Sequence, residues 1–109
     1  MRADLHSHST ASDGTCPPAE VMRRARAAGL DVIALTDHDT VAGHGQARRE
    51  LPESVTLVPG MELSCRLDGA SLHLLAYLFD PADPAQAAAQ IAIFLLEVAH
   101  PQNVLGCDN

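Results

Sequence analysis

Short apolar runs alternate with polar segments along most of the chain, and their spacing predicts strands and helices in turn. Residues 3–6 predict a first strand, followed by a loop rich in Ser, Thr, Asp and Gly. Apolar residues at helical spacing over residues 21–28, with Gly29 behind them, predict a helix. Residues 31–36 form an apolar run typical of a buried parallel strand, and residues 41–51 predict a second helix.

A third strand and a hairpin follow these elements. Residues 55–58 predict a strand that Pro59 and Gly60 should end. Residues 61–67 and 71–78 predict the two arms of a hairpin joined by an Asp-Gly turn. The order strand, helix, strand, helix, strand predicts an α/β fold with right-handed crossovers.

The register of the hairpin decides which of its side chains share a face. A two-residue turn at Asp68 and Gly69 places Ser64 opposite His73, so that Glu62 lies diagonal to His73 on the same face. The opposite face is predicted to join the core and carries Met61, Leu63, Cys65, Leu72 and Leu74. A solvent-facing hairpin face is the plainer interpretation, but it does not require Glu and His at these positions.

Composition narrows the range of functions. Of the 109 residues, 47% are hydrophobic and 19% are charged, which argues against a disordered polar chain. The net charge of −7 makes a generic nucleic-acid binder a poor fit, because attraction to phosphates requires a basic surface. Three scattered cysteines without a CxxC pair favour a cytoplasmic protein over a disulfide scaffold. The most apolar stretch, residues 87–99, is too short to span a bilayer, so no membrane association is predicted. No stable protein partner is predicted either.

Two histidines and an aspartate follow the first predicted strand. His6 and His8 lie one residue apart and point to the same face, because strand side chains alternate. Asp13 follows them on the polar loop, which gives an arrangement typical of metal ligands. A polar strand end at the surface is the alternative interpretation of this pattern.

A second ionisable cluster, residues 36–39, directly follows the second predicted strand. It lies at the carboxyl edge, where α/β sheets place their ligands, and His38 is the candidate ligand there. The alternative is an ordinary turn in which Asp39 or Thr40 caps the second helix, and both interpretations can hold together.

These groups suit a metal cluster better than a nucleophilic triad. Mixed imidazole and carboxylate ligands from several strand ends favour Mn, Zn or Fe over a cysteine-type zinc site. A bridging carboxylate would hold two metals about 3.5–4 Å apart, where they lower the pKa of bound water and clamp a phosphate. Cys16 and Cys65 are interpreted as structural residues.

Three motifs, DLHSHSTASDGT, GLDVIALTDHDTVAG and VPGMELSC followed by HLLAY, resemble the opening motifs of the PHP (polymerase and histidinol phosphatase) family. The resemblance covers residues 3–80 and is strongest to the branch of nucleoside 3′,5′-bisphosphate phosphatases and 5′-to-3′ exoribonucleases. It implies the N-terminal part of a distorted (β/α)7 barrel with two or three divalent metals, Mn above all and Zn or Fe as alternatives.

The resemblance also implies roles for single residues. The implied metal ligands are His6, His8, Asp13, His38, Glu62 and His73, with Glu62 as the bridging carboxylate. Asp37 matches the acidic neighbour that orients His38 or the water, and Asp13, Asp37 and His38 are the implied catalytic residues.

Beyond residue 80 the chain departs from the family pattern. Residues 81–109 are expected to be an atypical helical tail behind a PHP portion at residues 1–80, and to leave the barrel truncated and not closed. His100, in an Ala-His-Pro sequence, is either a seventh metal ligand or a chance match.

The implied function is a metal-dependent phosphoesterase acting on small nucleotides, such as a nucleoside 3′,5′-bisphosphate, or on short RNA 5′ ends. One alternative is an inactive truncated PHP fragment. Another is a histidinol-phosphatase-like enzyme or a polymerase-associated PHP exonuclease, since these activities share the opening motifs.

Overall fold

A four-stranded sheet with two helices makes up the fold of this computed structural model, which describes residues 1–83. The elements are β1 (Ala3–Ser7), α1 (Pro18–Ala27), β2 (Val32–Leu35), α2 (His44–Arg49), β3 (Thr56–Leu67) and β4 (Ala70–Tyr77). The strand order is β1-β2-β3-β4, with β1 and β3 parallel to β2 and with β4 antiparallel to β3. The predicted α/β class is therefore confirmed, whereas the predicted helical tail lies outside the described residues.

Helix α1 ends where the sequence predicted, because Gly29 adopts the left-handed conformation with φ 75°. The Gly29 N–H donates to Arg26 O at 3.0 Å, and the Leu30 N–H donates to Ala25 O at 3.0 Å. This pair of bonds is the Schellman arrangement, which satisfies the last carbonyls of a helix. The chain then turns directly into β2.

The core lies between the two helices and β2. Its buried members are Met22, Ala25, Ile33, Leu35, Ala47 and Val55. Met22 is fully buried, and burial of a side chain of this size contributes about 1.5–3 kcal/mol. The helices thereby cover one side of the sheet and leave its carboxyl edge free for polar side chains.

Helix α2 is shorter than predicted, since it begins only at His44. Residues 40 and 41 lie outside regular structure instead, and the Ala42 N–H donates to Thr40 Oγ1 at 3.1 Å. His44 is buried, and its Nε2 donates to Leu35 O at 3.0 Å. This histidine ties the start of α2 to the end of β2.

Strand β3 corrects the prediction that Pro59 and Gly60 end a strand, because it runs without interruption from Thr56 to Leu67. Its first part pairs with β2 as far as Pro59, and from Gly60 onward it pairs with β4. Pro59 has no backbone N–H, so no donor is left unpaired at this position. Its carbonyl accepts the Leu78 N–H at 2.9 Å. The predicted third strand and first hairpin arm are thus one strand that changes partner.

The hairpin has the predicted register. Leu67 pairs with Ala70 and Ser64 with His73. Asp68 and Gly69 both have positive φ values, 50° and 80°, as a type I′ turn requires.

The sheet curls, so that its two outer strands approach each other. The Tyr77 hydroxyl on β4 donates to Leu5 O on β1 at 2.5 Å. In a flat sheet these strands would lie about 14 Å apart, three strand spacings, which a tyrosine side chain does not bridge. The sheet therefore forms part of a barrel wall with its carboxyl edge at one rim.

Over residues 1–83 neither helix has the length and apolar character needed to cross a bilayer.

Candidate metal centre

Glu62 is the centre of a cluster of histidines at the carboxyl edge of the sheet, although its side chain is buried. Its Oε1 lies 2.7 Å from His6 Nε2 and 3.1 Å from His8 Nε2. Its Oε2 lies 2.7 Å from His73 Nδ1 and 3.5 Å from His38 Nδ1. Each carboxylate oxygen thus faces a different pair of imidazoles, as a bridging ligand would.

Backbone pairing fixes Glu62 beside the turn that follows β2. The Glu62 N–H donates to Asp37 O and the Asp39 N–H donates to Glu62 O, both at 3.0 Å. Glu62 and His38 therefore form an isolated bridge that extends the parallel pairing of β2 and β3. His73 reaches the same carboxylate from β4, where the hairpin register makes it diagonal to Glu62.

Asp13 approaches the cluster from the loop behind β1. Its Oδ1 lies 3.1 Å from His8 Nδ1, and its Oδ2 lies 3.2 Å from His38 Nε2. The loop needs glycine at position 14, because a Cβ there would lie 2.6 Å from the backbone carbonyl of His8. This close turn directs Asp13 back toward the histidines.

Asp37 is fully buried, and its carboxylate faces the same loop. Asp37 Oδ1 accepts the Ser9 N–H at 2.6 Å and the Ser12 hydroxyl at 2.8 Å, while Oδ2 accepts the Ser9 hydroxyl at 2.7 Å. The resemblance to the PHP family implied that this carboxylate orients His38 or a water. Its contacts with the two serines were not predicted.

Asp39 corrects the prediction that Asp39 or Thr40 caps the second helix, because α2 has Gly43 at its N-cap and no side-chain cap. Asp39 adopts a left-handed conformation with φ 54°. Its carboxylate accepts the Ser64 N–H at 2.7 Å and the Ser64 hydroxyl at 2.6 Å. Asp39 thus ties the turn carrying His38 to the strand carrying Glu62.

The functional contacts that sequence reasoning missed all involve serine. Ser9, Ser12 and Ser64 donate to the two aspartates that flank His38. The available signal was the spacing of hydroxyl residues beside candidate ligands, which is indistinguishable from an ordinary polar loop until the chain is folded. His100, the remaining predicted ligand, lies outside the described residues.

The electrostatics of Glu62 reflect two opposing effects. Burial is the largest and raises its pKa, because it disfavours the charged form. Hydrogen bonds with His6 and His73 lower the pKa and, with the charge of His38, prevail, so that the net pKa lies below the usual value. Glu62 therefore carries a negative charge at neutral pH in the middle of the imidazoles.

The donor set fits divalent metal ions at three overlapping positions. His6, His8 and Glu62 form one group, His38, Glu62 and His73 a second, and His8, Asp13 and His38 a third. Both ring nitrogens of His8 are buried without a hydrogen-bond partner, although carboxylate oxygens lie close by. Buried polar atoms usually have such a partner, so these nitrogens suit a ligand role.

Comparison with known proteins finds matches to most of this chain. The PHP domain model matches residues 4–78 of the chain. A 5′-3′ exoribonuclease of Haemophilus influenzae is 43% identical over 86 residues, which are 78% of this chain and 31% of that protein. A 3′,5′-nucleoside bisphosphate phosphatase of Chromobacterium violaceum is 40% identical over 90 residues, 78% of this chain and 30% of that protein. The chain spans about a third of the length of these two curated relatives.

A solved structure is also similar to this chain. It is a protein of Bifidobacterium adolescentis assigned as a metal-dependent phosphoesterase, with a TM-score of 0.71 and 33% identity. The match covers 87% of this chain and 34% of that one. The match therefore spans about a third of that chain.

Proposed function

The chain belongs to the PHP domain family, and we propose that it carries metal ligands of a phosphoesterase acting on small nucleotides or short RNA 5′ ends. The observation that carries the proposal is the single buried carboxylate of Glu62 with two imidazoles at each oxygen. A shared carboxylate of this kind holds two metal ions close enough to act on one phosphate group.

The residues that would hold the ions divide around Glu62. His6 and His8 would bind on the Oε1 side, and His38 and His73 on the Oε2 side. Asp13 would complete a third position with His8 and His38. Imidazole and carboxylate donors suit Mn, Zn and Fe, of which we propose Mn.

The chemistry at this edge follows from charge and position. Divalent ions held by these residues would supply Lewis acidity, which lowers the pKa of bound water towards about 7 and offsets the charge of a phosphate ester. The chain's own part is to present negative ligands on a rigid edge. Glu62 is buried and Asp13 is 59% exposed, which leaves the Asp13 side open to an incoming phosphate.

The substrate class rests on the relatives. The two curated relatives are named for hydrolysis of a nucleoside bisphosphate and of RNA from its 5′ end. Both reactions break a phosphate ester of a nucleotide, so we propose this class for the present chain. The cytoplasmic location stays a prediction.

Manganese-dependent hydrolysis tests the proposal. Phosphate release from adenosine 3′,5′-bisphosphate and nucleotide release from a short 5′-phosphorylated RNA are measured with the wild-type chain and with Glu62→Gln. Glu53→Gln is the matched control, because Glu53 is an exposed glutamate outside the cluster. We expect activity in the wild type and the control and none in Glu62→Gln. Equal rates in all three, or no release by a wild type that binds Mn²⁺, would reject the proposed activity for this chain.

A further inference from the structure

The Asp37 carboxylate sits under the loop that carries Asp13. Its side chain is fully buried, and three donors surround it at 2.6–2.8 Å: the Ser9 N–H, the Ser9 hydroxyl and the Ser12 hydroxyl. A buried charge is costly unless donors satisfy it, and charge-assisted hydrogen bonds to an ionised acceptor are the stronger ones. Both oxygens of the Asp37 carboxylate are therefore hydrogen-bonded to the loop.

The loop itself is closed by hydrogen bonds centred on Ser9. Its carbonyl accepts the Ser12 N–H at 3.1 Å and the Gly14 N–H at 2.9 Å. Its hydroxyl also accepts the Ala11 N–H at 3.1 Å. Asp13 lies between Ser12 and Gly14, so the position of its carboxylate depends on a turn that Asp37 holds from beneath.

Close packing keeps Asp37 in this position. A Cβ on Gly43 would lie 3.3 Å from Asp37 Oδ2 and 2.9 Å from a carbon of Pro18. The carboxylate therefore lies against backbone on one side and against the loop on the other. Asp37 has little freedom to turn toward His38, its neighbour in the sequence.

We propose that Asp37 is a positioning residue, which acts through Ser9 and Ser12 to hold the Asp13 carboxylate between His8 and His38. This inference rests on the proposed function, since it concerns the metal position formed by His8, Asp13 and His38. Asp37 contributes no ligand of its own. An asparagine is a poorer substitute, because it keeps only one acceptor oxygen and its amide nitrogen would require the Ser9 hydroxyl at the Oδ2 position to reverse and accept.

Cobalt binding tests the proposal with a double-mutant cycle. Co²⁺ affinity and its visible absorption spectrum are measured for the full chain with Asp37→Asn, Asp13→Ala and both changes together. Mutation of a residue that orients a metal ligand typically lowers metal affinity by about 10–100-fold. We expect a loss of this size in Asp37→Asn, together with a Co²⁺ absorption spectrum like that of Asp13→Ala. Because Asp37 acts through Asp13, the double variant should lose no more than Asp13→Ala alone.

Asp31→Asn is the matched control, since Asp31 is an exposed aspartate that accepts the Arg2 N–H at the opposite end of β2. It should bind Co²⁺ as the wild type does. Losses that multiply in the double variant would show that Asp37 acts on the metal directly and would overturn the proposal. Wild-type affinity in a less stable Asp37→Asn would overturn it too, by reducing Asp37 to a stability role.

A metal-free measurement separates this proposal from the proposed function. Amide hydrogen exchange at Gly14 should become faster in Asp37→Asn, because the turn loses its support, and should stay unchanged in Asp13→Ala. Unchanged exchange in Asp37→Asn would reject the positioning role even in a chain that binds no metal. If Asp37→Asn does not fold, Ser12→Ala removes only one of the three bonds and should show the same effects to a smaller degree.

Discussion

The two sides of the candidate centre are built differently. Glu62 and His73 belong to paired strands, where the register fixes both positions and burial also holds the Glu62 side chain. Asp13 belongs to a loop, where its position depends on hydrogen bonds from serines to a buried aspartate. We call Glu62 and His73 the strand-borne side of the centre and Asp13 the loop-borne side. The paired strands hold the strand-borne side, whereas the loop-borne side depends on a few polar contacts.

This difference ranks the expected effects of substitution. Glu62 takes part in two of the three ligand groups, and Asp13 takes part in one. Loss of Glu62 should therefore disable the two positions that share it, whereas loss of Asp13 should disable one position. The number of metal ions bound by each variant therefore distinguishes the two sides.

The largest effect is expected from Glu62→Gln. The change keeps the size of the side chain but removes the charge that faces four imidazoles, so Mn²⁺ affinity should fall by more than about 100-fold. Titration calorimetry should show that the two positions containing Glu62 no longer bind at micromolar concentrations, while Glu53→Gln binds as the wild type does. Unchanged stoichiometry and affinity in Glu62→Gln would contradict the shared role of this carboxylate.

A second prediction tests the rigidity of the strand-borne side. A Cβ on Gly60 would lie 2.7 Å from Thr36 Cγ2, and Thr36 cannot move away because it is fully buried and bonded to Ser7 O. Gly60→Ala should therefore lower the free energy of unfolding by about 1–3 kcal/mol, measured by urea denaturation.

The matched control is Gly45→Ala on α2, where the added Cβ meets only the end of the Arg49 side chain at 3.5 Å. Alanine is the better helix former, so this change should raise stability by about 0.5–1 kcal/mol. Equal effects at both glycines would show that the crossing of β3 over the turn after β2 is not tightly packed.

The strand-borne side was also the predictable one. A two-residue turn at Asp68 and Gly69 leaves a single hairpin register, and this register alone predicts that Glu62 and His73 share a face. The apolar run of β2 and the glycine behind α1 likewise fixed local elements. Periodicity and turn chemistry act over short distances, so they can be read from neighbouring residues.

The contacts that could not be predicted join segments far apart in the sequence. Asp37 meets Ser9 across 28 positions, and Asp39 meets Ser64 across 25. A carboxylate beside a candidate ligand has many possible partners, and only the packed fold selects one. The same reason explains the wrong strand end at Pro59, because the change of partner along β3 depends on β4.

A third prediction concerns acid stability and follows from the lowered pKa of Glu62. A carboxylate with a lower pKa in the folded chain contributes stability that is complete above its unfolded pKa of about 4.3 and is lost as pH falls through the folded value. The urea midpoint of the metal-free wild type should therefore fall more steeply below about pH 4.3 than that of Glu62→Gln. Parallel dependence of the two urea midpoints on pH would indicate that the imidazoles do not stabilise the ionised form of Glu62.

The smallest effect is expected at Cys65, which lies on the strand-borne side next to Ser64. Burial is the main cause of its raised pKa, and the nearby charge of Asp39 adds to it. Only the thiolate reacts rapidly, so alkylation of Cys65 by iodoacetamide should require a higher pH than alkylation of a free thiol. The measurement uses a chain in which Cys16 and Cys107 are serine.

Asp39→Asn separates the two causes of this shift. The change removes the charge but keeps the burial, so the pH midpoint of alkylation should fall toward the ordinary range without reaching it. The Ser64 N–H can still donate to the asparagine carbonyl, which preserves the turn beside Glu62. A midpoint that does not move would mean that the Asp39 charge is already neutralised by its two bonds to Ser64. Asp39 would then influence the strand-borne side through geometry alone, as Asp37 is proposed to influence the loop.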